Sequence, residues 1–281
     1  MTWETAGPAR LVQFPHPGAE HPKPRTSSVA WRRGKDDHAR TFLVSPATYR
    51  IGHTGQDTDG EVAFWGEWEG AVNVVSELDP VPEGRGPTWL GRPDPSASPP
   101  PVLPGNPPQN TDPYVWGDAM RYTYCRQPTN GKLRGLGRGS VILFGSSVAY
   151  RFVLDAVLVV ARFVDHSCAG DLRGVTDDVH MRTTIEPMYG WGEGATHRLY
   201  EGATPADPVN GMFSFVPCKP GTGRDVGFAR PEIDLDGWIH HDLRMQARME
   251  DRDANAMRRA WDDVASVISS HGLALGTALR L

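Results

Sequence analysis

The 281-residue sequence is short of cysteine, of long apolar runs and of positive charge, and each shortage removes a class of protein. Its three cysteines, Cys125, Cys168 and Cys218, are odd in number and widely spaced, which fits neither a disulfide framework nor paired metal knuckles. Reduced and mostly buried thiols are expected. The longest apolar run, residues 156–161, falls far short of the roughly 20 residues that span a bilayer. The opening MTWETAGPAR has neither a basic start nor an apolar stretch before a cleavage site, so the expected setting is cytoplasmic, with no membrane partner. With 29 Lys and Arg against 34 Asp and Glu, the formal charge of -5 argues against broad coating of a nucleic-acid backbone. A small basic pocket stays open, because Arg32, Arg33 and Lys35, and then Arg121, Arg126, Lys132, Arg134 and Arg138, form local groups. No internal repeat is visible, and the regular strand and helix alternation of a doubly wound sheet is missing.

What is present is an ordinary packed-protein composition, 39% hydrophobic and 22% charged, punctuated by 31 glycines and 25 prolines. The prolines of the first thirty residues predict extended or turning chain, since proline fixes φ and removes a donor. Those of residues 80–113 predict a long surface connection within one domain of residues 1–281. The chain before it is too short and irregular to bury a core of its own. Residues 62–68 (VAFWGEW) and 71–75 are β-prone. A glycine-punctuated turn, residues 131–139 (GKLRGLGRG), leads into SVILFGS (140–146) and YRFVLDAVLVVARFV (150–164), two apolar runs that read as neighbouring buried strands and form the core. Short strands are predicted at 179–185 and 211–216. Residues 254–270 place Met257, Ala260, Trp261, Val264, Val267 and Ile268 at spacings of three and four, the stripe of an amphipathic helix. Residues 236–250 suggest a second helix with a thinner apolar face.

Several segments carry groups capable of chemistry. In residues 64–70 (FWGEWEG), Trp65 and Trp68 offer stacking surfaces, and Glu67 or Glu69 offers a carboxylate for a base edge or for proton transfer. On a strand Trp65 and Glu67 share one face and Trp68 falls on the other. Residues 110–127 gather Asp118, Cys125, Arg126 and Gln127; Asn110, Thr111 and Asp112 there also suit a cap or Asx-turn. A nucleophilic Cys125 would need a neighbouring base or cation, and Arg126, next to it on a strand, points the other way. His16 sits in a rigid proline-glycine turn and is a candidate base or ligand contact. His16 and His21 are too broken by Pro17 and Gly18 to form a helical zinc pair, so no metal and no tightly bound cofactor is expected. The 135–139 glycines lead into a strand and not a helix, which sets aside a dinucleotide fingerprint.

The order of a polar aromatic segment, a glycine turn, then LGRGSVILFGS and FVLDAVLVVARFVD resembles the small barrels of the PUA-like group, including ASCH and EVE domains. It also resembles bacterial proteins associated with nucleotide modification. The resemblance covers about thirty residues. It implies an α+β fold: a bent, partly closed, mainly antiparallel sheet with a C-terminal helix, long loops and a pocket for a flipped or free base. The expectation placed first is recognition of a nucleobase, nucleotide or modified base in nucleic acid, with Trp65 and Trp68 stacking and Arg126, Gln127 and Arg138 making polar contacts. The second is a metal-independent hydrolase or transferase acting on a nucleoside or nucleotide, with Glu67 or Asp118 as acid or base and His16 in support. A third is a structural or partner-binding protein, with the proline-rich stretch as its docking surface. The oligomeric state is left open.

Overall fold

The structure, a computed structural model, describes residues 1–16, 30–33, 40–80, 82, 89–101, 103, 106–190, 196–241 and 246–281. His21 and Lys35 therefore lie outside the described residues. The strands are β1 (Arg10–Pro15), β2 (Arg40–Arg50), β3 (Thr58–Glu67), β4 (Val72–Glu77), β5 (Trp89–Pro93), β6 (Arg121–Tyr122), β7 (Val141–Val148), β8 (Arg151–His166), β9 (His197–Gly202), β10 (Val216–Pro220), β11 (Arg248–Asp251) and β12 (Ala274–Leu279). They make two sheets, ordered β11-β1-β7-β8-β9-β6 and β12-β10-β3-β2-β5-β4. A further β12–β2 pairing joins β12, β10, β3 and β2 into a closed antiparallel four-strand barrel. Only β1–β7 and β2–β5 run parallel among the named strand pairs. The expected α+β class with a partly closed, mainly antiparallel sheet and a C-terminal helix is therefore the fold observed.

The two apolar runs of the core become β7 and β8, paired in register from Val141↔Val159 to Phe144↔Ala156. Their buried side chains split between the sheet faces. Ile142, Phe144 and Leu158 join Leu43, Phe64 and Val216 of the barrel in one cluster, while Val141, Leu143 and Val157 pack with the C-terminal helix (Ala254–Ser270). That helix buries Met257, Ala260, Trp261, Val264, Ala265 and Ile268, and Asp253 caps its start by accepting from the Ala256 amide. A strand buried on both faces has no polar side to alternate, which is why these runs read as continuously apolar.

Four expectations change. Residues 179–185, read as a strand for their valine, threonines and isoleucine, are helical: Asp178–His180, a π-type turn Met181–Ile185, then Glu186–Tyr189. Asp177 accepts from the His180 amide and Thr183 donates to the Val179 carbonyl, local bonds that set the helix against β propensity. In 211–216 the extended chain makes isolated bridges, Val157 with Phe215 and Val209 with Met212, and β10 begins at Val216. Within 236–250 the described residues are not helical: Gly237 has φ 72°, and Arg248–Asp251 adds to the edge of β1 (242–245 lie outside the described residues). The proline-rich residues 80–113 also contain β5, which pairs with β2 on one side and β4 on the other.

Candidate functional site

Strand register brings the first charged pair together. Arg40 is directly opposite Glu67 in the β2–β3 ladder, and Phe42 is opposite Trp65. Residues two apart share a face, so Arg40, Phe42, Trp65 and Glu67 form one row. Phe42 meets the edge of Trp65 with ring centroids 5.1 Å apart. From the other sheet, β1 ends beside Gly145, and the next residue, His16, donates its amide to the Gly145 carbonyl at 2.8 Å. The sheet thus delivers the imidazole to Glu67, with His16 Nε2 3.3 Å from Glu67 Oε2 and both side chains 2% exposed.

A β-bulge supplies the next carboxylate. Phe144 pairs with Ala156 but Gly145 pairs with Leu154, so Asp155 is the unmatched residue of β8. Bulges re-aim side chains. Asp155 accepts from Arg230 Nη1 at 3.0 Å and from Ser146 Oγ at 3.3 Å, and Arg40 Nε lies 3.7 Å away. Glycine is required at 145, where a Cβ would run into the Val153 carbonyl and the Phe152 ring. The Arg230 guanidinium lies 4.4 Å over the Trp65 ring.

Asp112 closes the site. Its carboxylate accepts the amides of Thr123 (2.9 Å), Tyr124 (2.8 Å) and Cys125 (2.6 Å). Its own amide donates to Glu67 Oε1 at 2.9 Å, and its carbonyl accepts from His16 Nε2 at 2.6 Å. Burial raises the Asp112 carboxyl to about 6, against which its hydrogen bonds to the three amides act. Cys125 Sγ lies 3.6 Å from His16 Nε2 and 3.3 Å from the Asp112 carbonyl. Burial first, then Asp112 and Glu67, push its thiol well above the ordinary range, the direction that disfavours a thiolate. His16, Arg40, Trp65, Glu67, Pro113 and Asp155 are among the residues that line a narrow cavity of about 20 Å³, on the order of one water molecule.

Of the residues singled out in the sequence, His16, Trp65 and Glu67 come together. Asp118 does not: it is exposed on a different concavity, beside Arg121 and Asp177. Trp68 is a core side chain, 1% exposed, donating to the Ala71 carbonyl and packed 4.9 Å from Trp116. Gln127 is buried, and its amide group braces β9 by donating to the Arg198 carbonyl and accepting its N–H. Arg126 is half-buried, at φ 64°, where its carbonyl takes the amides of Thr129 and Asn130. Arg138 is exposed at the start of β7, the end away from Gly145, and donates to the Ala161 carbonyl. Arg40, Asp155 and Arg230 carried no signal in the sequence. Asp112 carried one, its Asx-type capping, without a target.

The chain is thus an α+β protein with a four-strand barrel and a buried cluster of ionisable side chains where the barrel meets the second sheet. Comparison with protein families, curated proteins and solved structures finds no match to this chain. No helix among the described residues is long and apolar enough to cross a membrane.

Proposed function

We propose that this chain is an enzyme performing acid–base chemistry on a nucleoside or nucleotide, as a hydrolase or transferase, at the cavity where β3 faces the β7–β8 bulge. The observation that carries this reading is the convergence of His16, Glu67, Arg40 and Asp155 on one cavity from four different strands or strand ends. Taking an ion out of water costs several kcal/mol, and apolar side chains of similar volume would hold the fold as well or better. Buried, coupled ionisable groups at a cavity are the arrangement acid–base catalysis uses. Glu67 is the proton acceptor, His16 its partner, and Arg40, which lines the cavity, offers positive charge to a phosphate or developing anion.

The nucleotide class rests on the aromatic wall of Trp65 and on the PUA-like resemblance, with which the closed barrel is in keeping. A bacterial and cytoplasmic setting belongs to the same reading. The cavity admits only the reacting end of a substrate unless lining side chains give way. Recognition without chemistry would use Trp65 as the stacking wall and Glu67 as acceptor for a base edge. It ranks second because Arg230 covers one face of Trp65 and Trp68 is in the core.

A panel of nucleosides, nucleotides, NAD and short oligonucleotides, read by thermal shift and by turnover, tests both. Chemistry predicts a compound that raises the melting temperature and is turned over, with Glu67→Gln keeping the shift and losing about 100-fold or more in rate. Undiminished turnover by Glu67→Gln removes the assignment. A shift without turnover, abolished in Trp65→Ala, leaves recognition. No shift and no turnover with any compound rejects both.

A further inference from the structure

We infer that Asp112 is a positioning residue that fixes the tautomer of His16 and so divides the labour within the proposed acid–base pair. The inference rests on the reading of Glu67 and His16 given above. A carbonyl oxygen only accepts. With the Asp112 carbonyl 2.6 Å from His16 Nε2, that nitrogen carries hydrogen, and in the neutral ring the lone pair sits on Nδ1. The same Nε2 lies 3.3 Å from Glu67 Oε2. The nitrogen nearest Glu67 therefore presents an N–H and not a lone pair, and His16 is not a base there. Glu67 is held from its other side, because the Asp112 amide donates to Oε1. One residue thus orients both members of the pair through its main chain: its N–H turns Glu67, and its C=O sets His16.

The Asp112 side chain explains why that main chain stays in place. Its carboxylate accepts the amides of three consecutive residues, Thr123 to Cys125, all in the segment that follows β6. Oδ2 takes two of them and Oδ1 the third, so no acceptor with a single oxygen replaces it. An amide side chain would turn an N–H₂ toward at least one backbone N–H, loosening the loop at the point from which the Asp112 carbonyl reaches His16. Tautomers set in this way by the partner of one ring nitrogen are the device by which a histidine is committed to one role.

The test needs no substrate. Histidine labelled with ¹⁵N is followed at pH 8 by long-range ¹H–¹⁵N correlation, and the His16 ring is assigned by its loss in His16→Gln. The wild type is expected to show protonated Nε2 and bare Nδ1, with the full separation of the two nitrogen resonances. A folded Asp112→Asn is expected to move the two resonances toward each other, as two tautomers exchange. Glu67→Gln is expected to keep the wild-type pattern, because the carbonyl and not the carboxylate holds the proton. Protonated Nδ1 in the wild type, an unchanged His16 in folded Asp112→Asn, or mixed tautomers in Glu67→Gln would each overturn the inference. If Asp112→Asn does not fold, the wild type and Glu67→Gln decide it. Since the spectra are recorded without substrate, a failed compound panel and a failed tautomer assignment are separate results.

Discussion

Asp112 and His166 are both buried, and burial drives them in opposite directions. Loss of water raises the Asp112 carboxyl to about 6 and lowers His166 to about 4, because burial disfavours whichever form is charged. His166 is held neutral between Thr123 Oγ1 and the Tyr189 hydroxyl, at 2.8 and 2.6 Å. The signs follow from comparing folded with unfolded chain. Between about pH 4 and 6.5 the unfolded histidine binds a proton that the folded one refuses, so its contribution to stability is present above that window and lost as pH falls. Between about pH 3.8 and 6 the folded Asp112 keeps a proton that the unfolded one releases, so its contribution is present below the window and lost as pH rises. Each is on the order of 3 kcal/mol, and they oppose each other over nearly the same range. His180 and His197, lowered chiefly by burial, add to the slope of His166. Acid should therefore destabilise Asp112→Asn about 3 kcal/mol more steeply than wild type between pH 6 and 4. Urea titrations at several pH values measure this, and parallel profiles for the two proteins would refute it.

At the scale of the element, the bulge between Phe144 and Gly145 does the work that the sequence of β8 conceals. In the run FVLDAVLVV, Asp155 reads as a stray charge in a buried strand. The register slip turns it toward Arg230, Arg40 and Ser146, and Gly145 makes the slip possible. Gly145→Ala is expected to cost about 1–3 kcal/mol through overpacking against the Val153 carbonyl and Phe152. It should also displace Asp155, so that any turnover found in the compound panel falls further than stability alone explains. A variant as stable and as active as wild type would show the bulge to be incidental. The β2–β3 ladder was legible in part: alternation placed Trp65 and Glu67 on one face, as found. That alternation did not reveal that both faces are covered, which is what makes Trp68 a core residue packed on Trp116.

For the whole molecule, the decisive contact is the closure of the barrel by its last strand. β12 pairs with β10 on one side and β2 on the other, and Leu275, Leu279 and Ala274 are fully buried. Without β12, β2 and β10 would present open edges and the apolar interior would lose one wall. Deletion of residues 274–281 is expected to abolish the cooperative thermal transition and the near-ultraviolet circular dichroism. A monomeric deletion with a native-like melt would contradict the closed barrel as the organising unit.

Features that depend on neighbours along the chain were legible before any folding was known. The apolar runs of β7 and β8, the striped C-terminal helix and the shared face of Trp65 and Glu67 follow from periods of two and 3.6 that a single segment displays. His16 and Glu67 stood out for the chemistry of their side chains, though nothing in the sequence said that they meet. Tertiary structure alone decided the rest of the site. Arg40 reaches Glu67 through cross-strand register, Asp155 turns inward at a bulge, and Arg230 arrives from a loop 75 residues further on. Asp112 was visible as a capping residue, but its targets lie 11 to 13 residues ahead and, at His16, 96 residues back. Register, bulges and loop returns depend on which strands pair, and pairing is settled by burial of the whole core, which no local pattern encodes.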